Sequence, residues 1–167
     1  VIKSIFIGNS VLNNPGLGVS IAIHFINKDP VSAIFSYSKN VSSQAADLIA
    51  TKLALNNFGE EIALLSHNEY VVNAMNAWVE KWAENNWLNK DFKEIKNRDL
   101  FKSIYERKKE MAYCDFVKAG KPFAHNTDII KSTSKRILED ILAQRVSFKE
   151  GVVYPVNLDK PVEILDM

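Results

Sequence analysis

The sequence predicts a mixed α/β domain: a five-stranded sheet whose first three strands run antiparallel, flanked by helices. Three observations predict it. Apolar, β-branched runs separated by turn residues fill the first quarter of the chain. From about residue 43, helical periodicity alternates with short apolar runs, the mark of a sheet covered by helices. Hydrophobic residues make up 47% and charged residues 25%, with 6 Gly and 5 Pro, which excludes a disordered, collagen-like or low-complexity chain.

The elements follow in order. Ile2 to Gly8 is apolar and β-branched, and Asn13-Asn14-Pro15-Gly16-Leu17-Gly18 supplies turn chemistry before a second run, Val19 to Ile26. Lys28-Asp29-Pro30 is a further turn signal, and Val31 to Ser38 makes a third strand of an antiparallel meander. After Ser42-Ser43, residues Ala46, Leu48, Ile49, Leu53, Ala54 and Leu55 recur at helical spacing, with a Ser cap and an end at Asn56-Asn57 and Gly59. Glu61 to Ser66 suits a buried strand, and from Glu69 onward Tyr70, Val71, Ala74, Trp78 and Trp82 return to the helical period. Asp99 is placed to cap a helix over Leu100 to Met111; Tyr113 to Lys118 reads as a fifth strand. Asn126 to Gln144 makes a long last helix with Ile130, Ile137, Leu138 and Ile141 inward. These elements divide the chain into a domain over residues 1–145 and a C-terminal extension over 146–167, in which Val152 to Val156 can form an extended strand that docks on its own domain or on a partner's sheet edge.

At 167 residues the chain has room for one domain with a real core. A single cysteine, Cys114, excludes a disulfide framework and a thiolate zinc site within one chain, and favours a reducing, intracellular compartment, cytoplasmic or nuclear. No run approaches the roughly 20 apolar residues of a membrane span, so no membrane partner is expected. The start on a strand at Val1 is compatible with a piece of a longer protein. With 21 Lys plus Arg against 20 Asp plus Glu, bulk charge gives no push toward a polyanion, and any nucleic-acid role needs a local patch.

Three motifs carry a resemblance. Ile5-Phe6-Ile7-Gly8-Asn9-Ser10 followed by Asn14-Pro15-Gly16-Leu17-Gly18 is similar to an Asp-Gly-Ser strand end and an Asn-Pro-Gly-x-Gly turn. Ser66-His67-Asn68-Glu69-Tyr70-Val71, ahead of Trp78, Trp82 and Trp87, is similar to Thr-Asp-Ser-x-Tyr-Val. Lys96-Asn97-Arg98-Asp99-Leu100 is similar to Lys-Asn-x-Asp-Leu at a helix start. Together with the element order, these make residues 2–143 resemble type 1 ribonuclease H.

The resemblance implies cleavage of the RNA strand of RNA–DNA hybrids by two divalent ions roughly 3.5–4 Å apart. It also implies four carboxylates to hold them, since Mg²⁺ takes hard oxygen ligands whose charge offsets the ions. Carried over by alignment, the four positions fall on Gly8, Asp47, His67 and Ile130. Only Asp47 keeps an acid. Asp128, two residues before Ile130, supplies a second acid only if the last helix is shifted, and His125 stands in a different register from the histidine of the bacterial loop. The expectation is a degenerate member with no catalytic residue and no metal or other cofactor. The alternative is a divergent hybrid ribonuclease with a site rebuilt around Asp47 and His67, with His125 or Asp128, for Mg²⁺, Mn²⁺ or Zn²⁺. His24 and Cys114 read as structural, the cysteine as a small hydrophobe without a paired base.

The resemblance further implies nucleic-acid contacts at Asn14, Ser43, Gln44 and Asn97. Trp78 and Trp82, four apart on one helix face, read as core, which leaves Trp87 as the better partner contact. The segment that carries a basic cluster in many relatives has Lys81, Lys90, Lys93 and Lys96 balanced by Glu80, Glu84, Asp91 and Glu94, so the grip on phosphates is weakened. A residual patch over Arg107-Lys108-Lys109, Lys118, Lys121, Lys131, Lys135 and Arg136 reads first as a solvent-facing side of two helices. The function expected is an inactive ribonuclease H-like binding or assembly module in a protein or ribonucleoprotein complex. A protein partner is expected, residual binding of RNA–DNA hybrid or double-stranded RNA comes second, and no small-molecule substrate is expected.

Overall fold

The computed structural model describes residues 1–158 and the backbone of 163–164. The first three strands, β1 (Lys3–Val11), β2 (Gly16–Ile26) and β3 (Asp29–Val41), form the antiparallel meander. The hairpin closes tightly: the Leu12 N–H donates to the Leu17 carbonyl at 2.8 Å, and a Cβ on Gly16 would sit 1.9 Å from the Leu12 carbonyl oxygen. Helix α1 (Ser43–Asn57) follows, capped by the Ser42 hydroxyl accepting from the Ala45 N–H at 3.1 Å. Strand β4 (Glu61–Ser66) then pairs parallel to β1.

Next come α2 (Glu69–Asn73), a π-helical turn (Ala74–Trp78) and α3 (Val79–Glu84), where the periodicity predicted one unbroken helix. Helix α4 (Arg98–Glu110) starts from Asn97, whose backbone is left-handed (φ 59°), and not from a cap by Asp99. Asp99 instead lies in the first turn, where its charge faces the helix N-terminus and pairs with Arg98 at 3.3 Å. Strand β5 (Tyr113–Lys118) pairs parallel to β4, and a short 3₁₀ turn (Lys121–Phe123) leads into α5 (Ala124–Leu142).

The sheet order is β5-β4-β1-β2-β3-β6-β7, so the five expected strands are extended by two short ones, β6 (Tyr154–Asn157) and β7 (Glu163–Ile164). The extension docks on its own domain: Tyr154 and Pro155 pair with Phe35 and Ile34 of β3. The Tyr37 hydroxyl donates to the Phe148 carbonyl at 2.5 Å, and Phe148 and Tyr154 stack with Phe35. The partner-edge alternative for this strand is thereby replaced by pairing with β3.

Strand alternation distributes the core. Ile5 and Ile7 face α1 and α4, whereas Phe6 joins Val19, Ile21 and Phe35 under α5, with Ile130 and Ile137. The pairing of β1 with β4 stops at Phe6 and Leu65, while β1 continues alongside β2 to Val11. The two parallel strands thus part at their C-terminal ends and open a cleft there, the usual place for a site in such a sheet.

Candidate functional site

The cleft is about 460 Å³, within the range of ligand sites, and Asn9, Asp47, His67, Asn68 and Lys131 are among its lining residues. Two of the positions that sequence brought into question are chain neighbours of the lining residues Asn9 and Lys131. By alternation with Phe6, Gly8 faces α5, and there Ile130, 1% exposed, sits directly over it: a Cβ built on Gly8 would lie 2.2 Å from Ile130 Cγ2. Packing against Gly8 has taken up the space that a side chain there would need. Two residues on, Ser10 and Ser134 share a hydroxyl hydrogen bond at 2.9 Å, so β1 and α5 are locked together on both sides of Gly8.

On the other face, Asn9 points toward α1. Its Nδ2 donates to Asp47 Oδ1 at 2.6 Å and to the Ser43 carbonyl at 3.2 Å. Asn68 Nδ2 donates to the second carboxylate oxygen, Asp47 Oδ2, at 2.8 Å, while Asn68 Oδ1 accepts from the Tyr70 and Val71 N–H groups and caps α2. Asp47 is 3% exposed. Burial pushes its carboxyl above the usual carboxylate range, opposed by the amides of Asn68 and Asn9 and by nearby His67, which favour the ionised form. Sequence reasoning missed both asparagines. The signals were present: Asn9 falls on the α1 face by strand alternation, and Asn68 precedes an acidic first turn, as helix-capping residues do.

The remaining candidates separate. The helix is not shifted: Asp128 and His125 are exposed, with Ile130 inward. Among the described residues no three His, Cys, Asp or Glu side chains group closely enough to hold a metal ion. The divalent pair implied by the resemblance does not fit these residues: one position is filled by Ile130, and the one carboxylate has both oxygens taken by amides. His24 is half-buried with its ring edge-on to Phe58 at 6.3 Å, and burial lowers its pKa, as does Lys3. Burial pushes the Cys114 thiol up to about 11, away from nucleophilic chemistry.

Asn14 Oδ1 accepts from the Ser43 N–H at 2.9 Å, so the hairpin tip is tied to the start of α1, where Gln44 lies. Asn97 Nδ2 is buried without a hydrogen-bond partner among the described residues. Trp82 packs against the core as expected, while Trp78 and Trp87 reverse their expected roles. Asn86 and Trp87 are both left-handed (φ 55° and 61°), so the chain folds back. The Trp87 N–H donates to the Trp82 carbonyl at 2.7 Å, and its ring, 9% exposed, packs edge-on to Tyr105. Trp78, 38% exposed at the end of the π turn, takes the surface position beside Tyr70.

Half of the basic patch is used structurally. Arg107 donates to the Leu55 and Gly59 carbonyls and pairs with Glu60 at 2.9 Å, and Lys108 and Lys109 lie over the Phe116 and Tyr105 rings. Lys118 pairs with Glu69 at 2.9 Å.

Comparison with known proteins places this geometry. A family model described as RNase H matches residues 3–136. A ribonuclease H of Caldanaerobacter subterraneus is 32% identical over 108 residues, 63% of this chain and 70% of that protein. A ribonuclease H of Caldicellulosiruptor saccharolyticus is 27% identical over 143 residues, 84% of this chain and 95% of that protein. Among solved structures, LC11-RNase H1 in complex with RNA/DNA hybrid superposes with a TM-score of 0.55 at 20% identity, over 70% of this chain and 83% of that one, which speaks for the fold. No helix among the described residues is long and apolar enough to cross a membrane.

Proposed function

The chain belongs to the ribonuclease H family, and on that premise we propose that it is a non-cleaving member that holds RNA–DNA hybrid or double-stranded RNA as a binding module within a ribonucleoprotein assembly. The observation that carries this reading is Ile130 packed onto Gly8. Two-metal hydrolysis needs carboxylates on both elements to bring the ions onto one phosphodiester. Here β1 offers a hydrogen atom and α5 a methyl group, and the buried Asp47 is hydrogen-bonded on both oxygens. The recognition side of the fold keeps polar groups: Asn14, Ser43 and Gln44 stand together at the hairpin tip and the start of α1. A relative of the same fold is known in complex with RNA/DNA hybrid.

The test is a labelled RNA–DNA heteroduplex incubated with purified protein in Mg²⁺ and then in Mn²⁺. Intact substrate in both, with an anisotropy rise whose affinity falls steeply with salt, is expected. Cleavage abolished by Asp47→Ala would return the protein to the rebuilt-site reading. A second reading is favoured by the charge-balanced segment from Glu80 to Asn97, which leaves Trp78 and Phe92 exposed: a protein-contact scaffold, whose signature is binding to a protein partner and a flat salt response with nucleic acid.

A further inference from the structure

The cleft that does not fit the metal pair is open, and it carries side chains of both signs. Both acidic side chains at it are engaged: Glu69 pairs with Lys118 at 2.9 Å, and Asp47 lies 3% exposed beneath the amides of Asn9 and Asn68. Lys131, one residue past Ile130 on α5, lines the same cleft and is exposed. It makes no ion pair among the described residues. His67, the residue after β4, lines the same cleft. A phosphodiester oxygen entering here meets an ammonium and an imidazole where a metal-dependent site would present carboxylates.

We propose that Lys131 receives a backbone phosphate of the bound duplex directly, with His67 lining the same cleft, so that this chain grips nucleic acid at its former metal position without any divalent ion. This deepens the reading of the protein as a non-cleaving duplex binder and rests on it. The chemistry favours it: an ammonium is a compact charge that binds phosphate as a point contact, and removing one such contact lowers the dependence of affinity on salt by close to one unit of slope. Asn9 cannot serve in its place, since its amide donates to Asp47 and to the Ser43 carbonyl, and Asn68 spends one of its two N–H donors on Asp47. Their role is to hold that carboxylate below the cleft floor, away from the phosphate.

The experiment is anisotropy of a labelled RNA–DNA hybrid across a salt series, in EDTA and in Mg²⁺ at matched ionic strength, for wild type, Lys131→Gln and Lys131→Arg. The proposal expects equal wild-type affinity in EDTA and Mg²⁺. It expects Lys131→Gln to bind about tenfold more weakly with a salt slope smaller by about 0.7–0.9, and Lys131→Arg to recover most of the loss. Because Lys131 is exposed, unfolding curves of the variants should overlay wild type. If wild type binds but Lys131→Gln matches it in affinity and slope, or if binding needs Mg²⁺, this inference is wrong and the binding reading stands. If wild type shows no hybrid or double-stranded RNA binding at any salt, the binding reading itself falls and this inference with it.

Discussion

The cleft at the end of β1 and the aromatic arm from Glu69 to Asn97 have gone in opposite directions. In the cleft, side chains are tightly engaged: Ile130 fills the space above Gly8, and two amides donate to the two Asp47 oxygens. In the arm, a π turn and a left-handed pair have exchanged an interior ring for a surface one, burying Trp87 and turning Trp78 outward. The difference teaches that burial and surface exposure are not inherited with residue type. A tryptophan or a metal-site position keeps its place in the chain, while local backbone and neighbouring volume decide what it does.

The largest effects should come from the arm. Trp87→Ala should cost about 3–5 kcal/mol of unfolding free energy, because its ring is packed against Tyr105 under α4. Trp78→Ala should cost under about 1 kcal/mol. Urea unfolding of the two variants decides it; equal costs would break the exchange described above. The cleft comes next. Ile130→Ala should cost about 2–5 kcal/mol and Gly8→Ala about 1–3 kcal/mol by overpacking. The two sites touch, so the double variant should be more stable than the summed costs imply, and strict additivity in the cycle would contradict direct packing.

Asp47 gives a smaller effect with a pH signature. Asp47→Asn should cost about 1–3 kcal/mol. The Asn9 and Asn68 amides would face a new donor, and turning Asn68 around would sacrifice its cap on α2. Since burial raises the Asp47 pKa in the folded chain, that chain holds the proton more tightly than the unfolded one. Its contribution therefore favours folding as pH falls through the folded-state value and is lost as pH rises through it. Wild type should gain on Asp47→Ala between neutral pH and about 4, measured by denaturant unfolding across that range. A gap that narrows on acidification would mean that the amides, and not burial, control the group. The smallest effect concerns Cys114: with its thiol raised to about 11, alkylation at neutral pH should be slow in the folded protein and rise to the free-thiol rate only on unfolding.

Much of the scaffold was legible because its signals are local. Strands β4 and β5 agree with the sequence reading residue for residue, since each is a short apolar run bounded by Gly59 or by turn residues. Helix α1 agrees because Ser42 caps it and its apolar spacing is unbroken. The misses are non-local. That Trp87 turns inward depends on Asn86 and Trp87 adopting positive φ, which tryptophan rarely does and no composition signals. The amide clamp on Asp47 brings together three elements far apart in sequence, and for the C-terminal strand, expected from Val152 to Val156, the sequence left open which edge it would join. Of the candidate site, the motifs singled out Gly8 and Ile130 as positions of interest; that Ile130 occupies the space a side chain on Gly8 would need was not readable.

The most direct test of that last point is a thermal unfolding titration of wild type and Asp47→Ala with Mn²⁺, because an ion that binds the folded chain raises its stability by about 2.7 kcal/mol at a hundredfold excess over Kd. The account predicts superimposable curves for wild type with and without Mn²⁺. A saturable rise in midpoint that Asp47→Ala removes would contradict it, since that would place a working ion site where Ile130 and two asparagines are said to leave none.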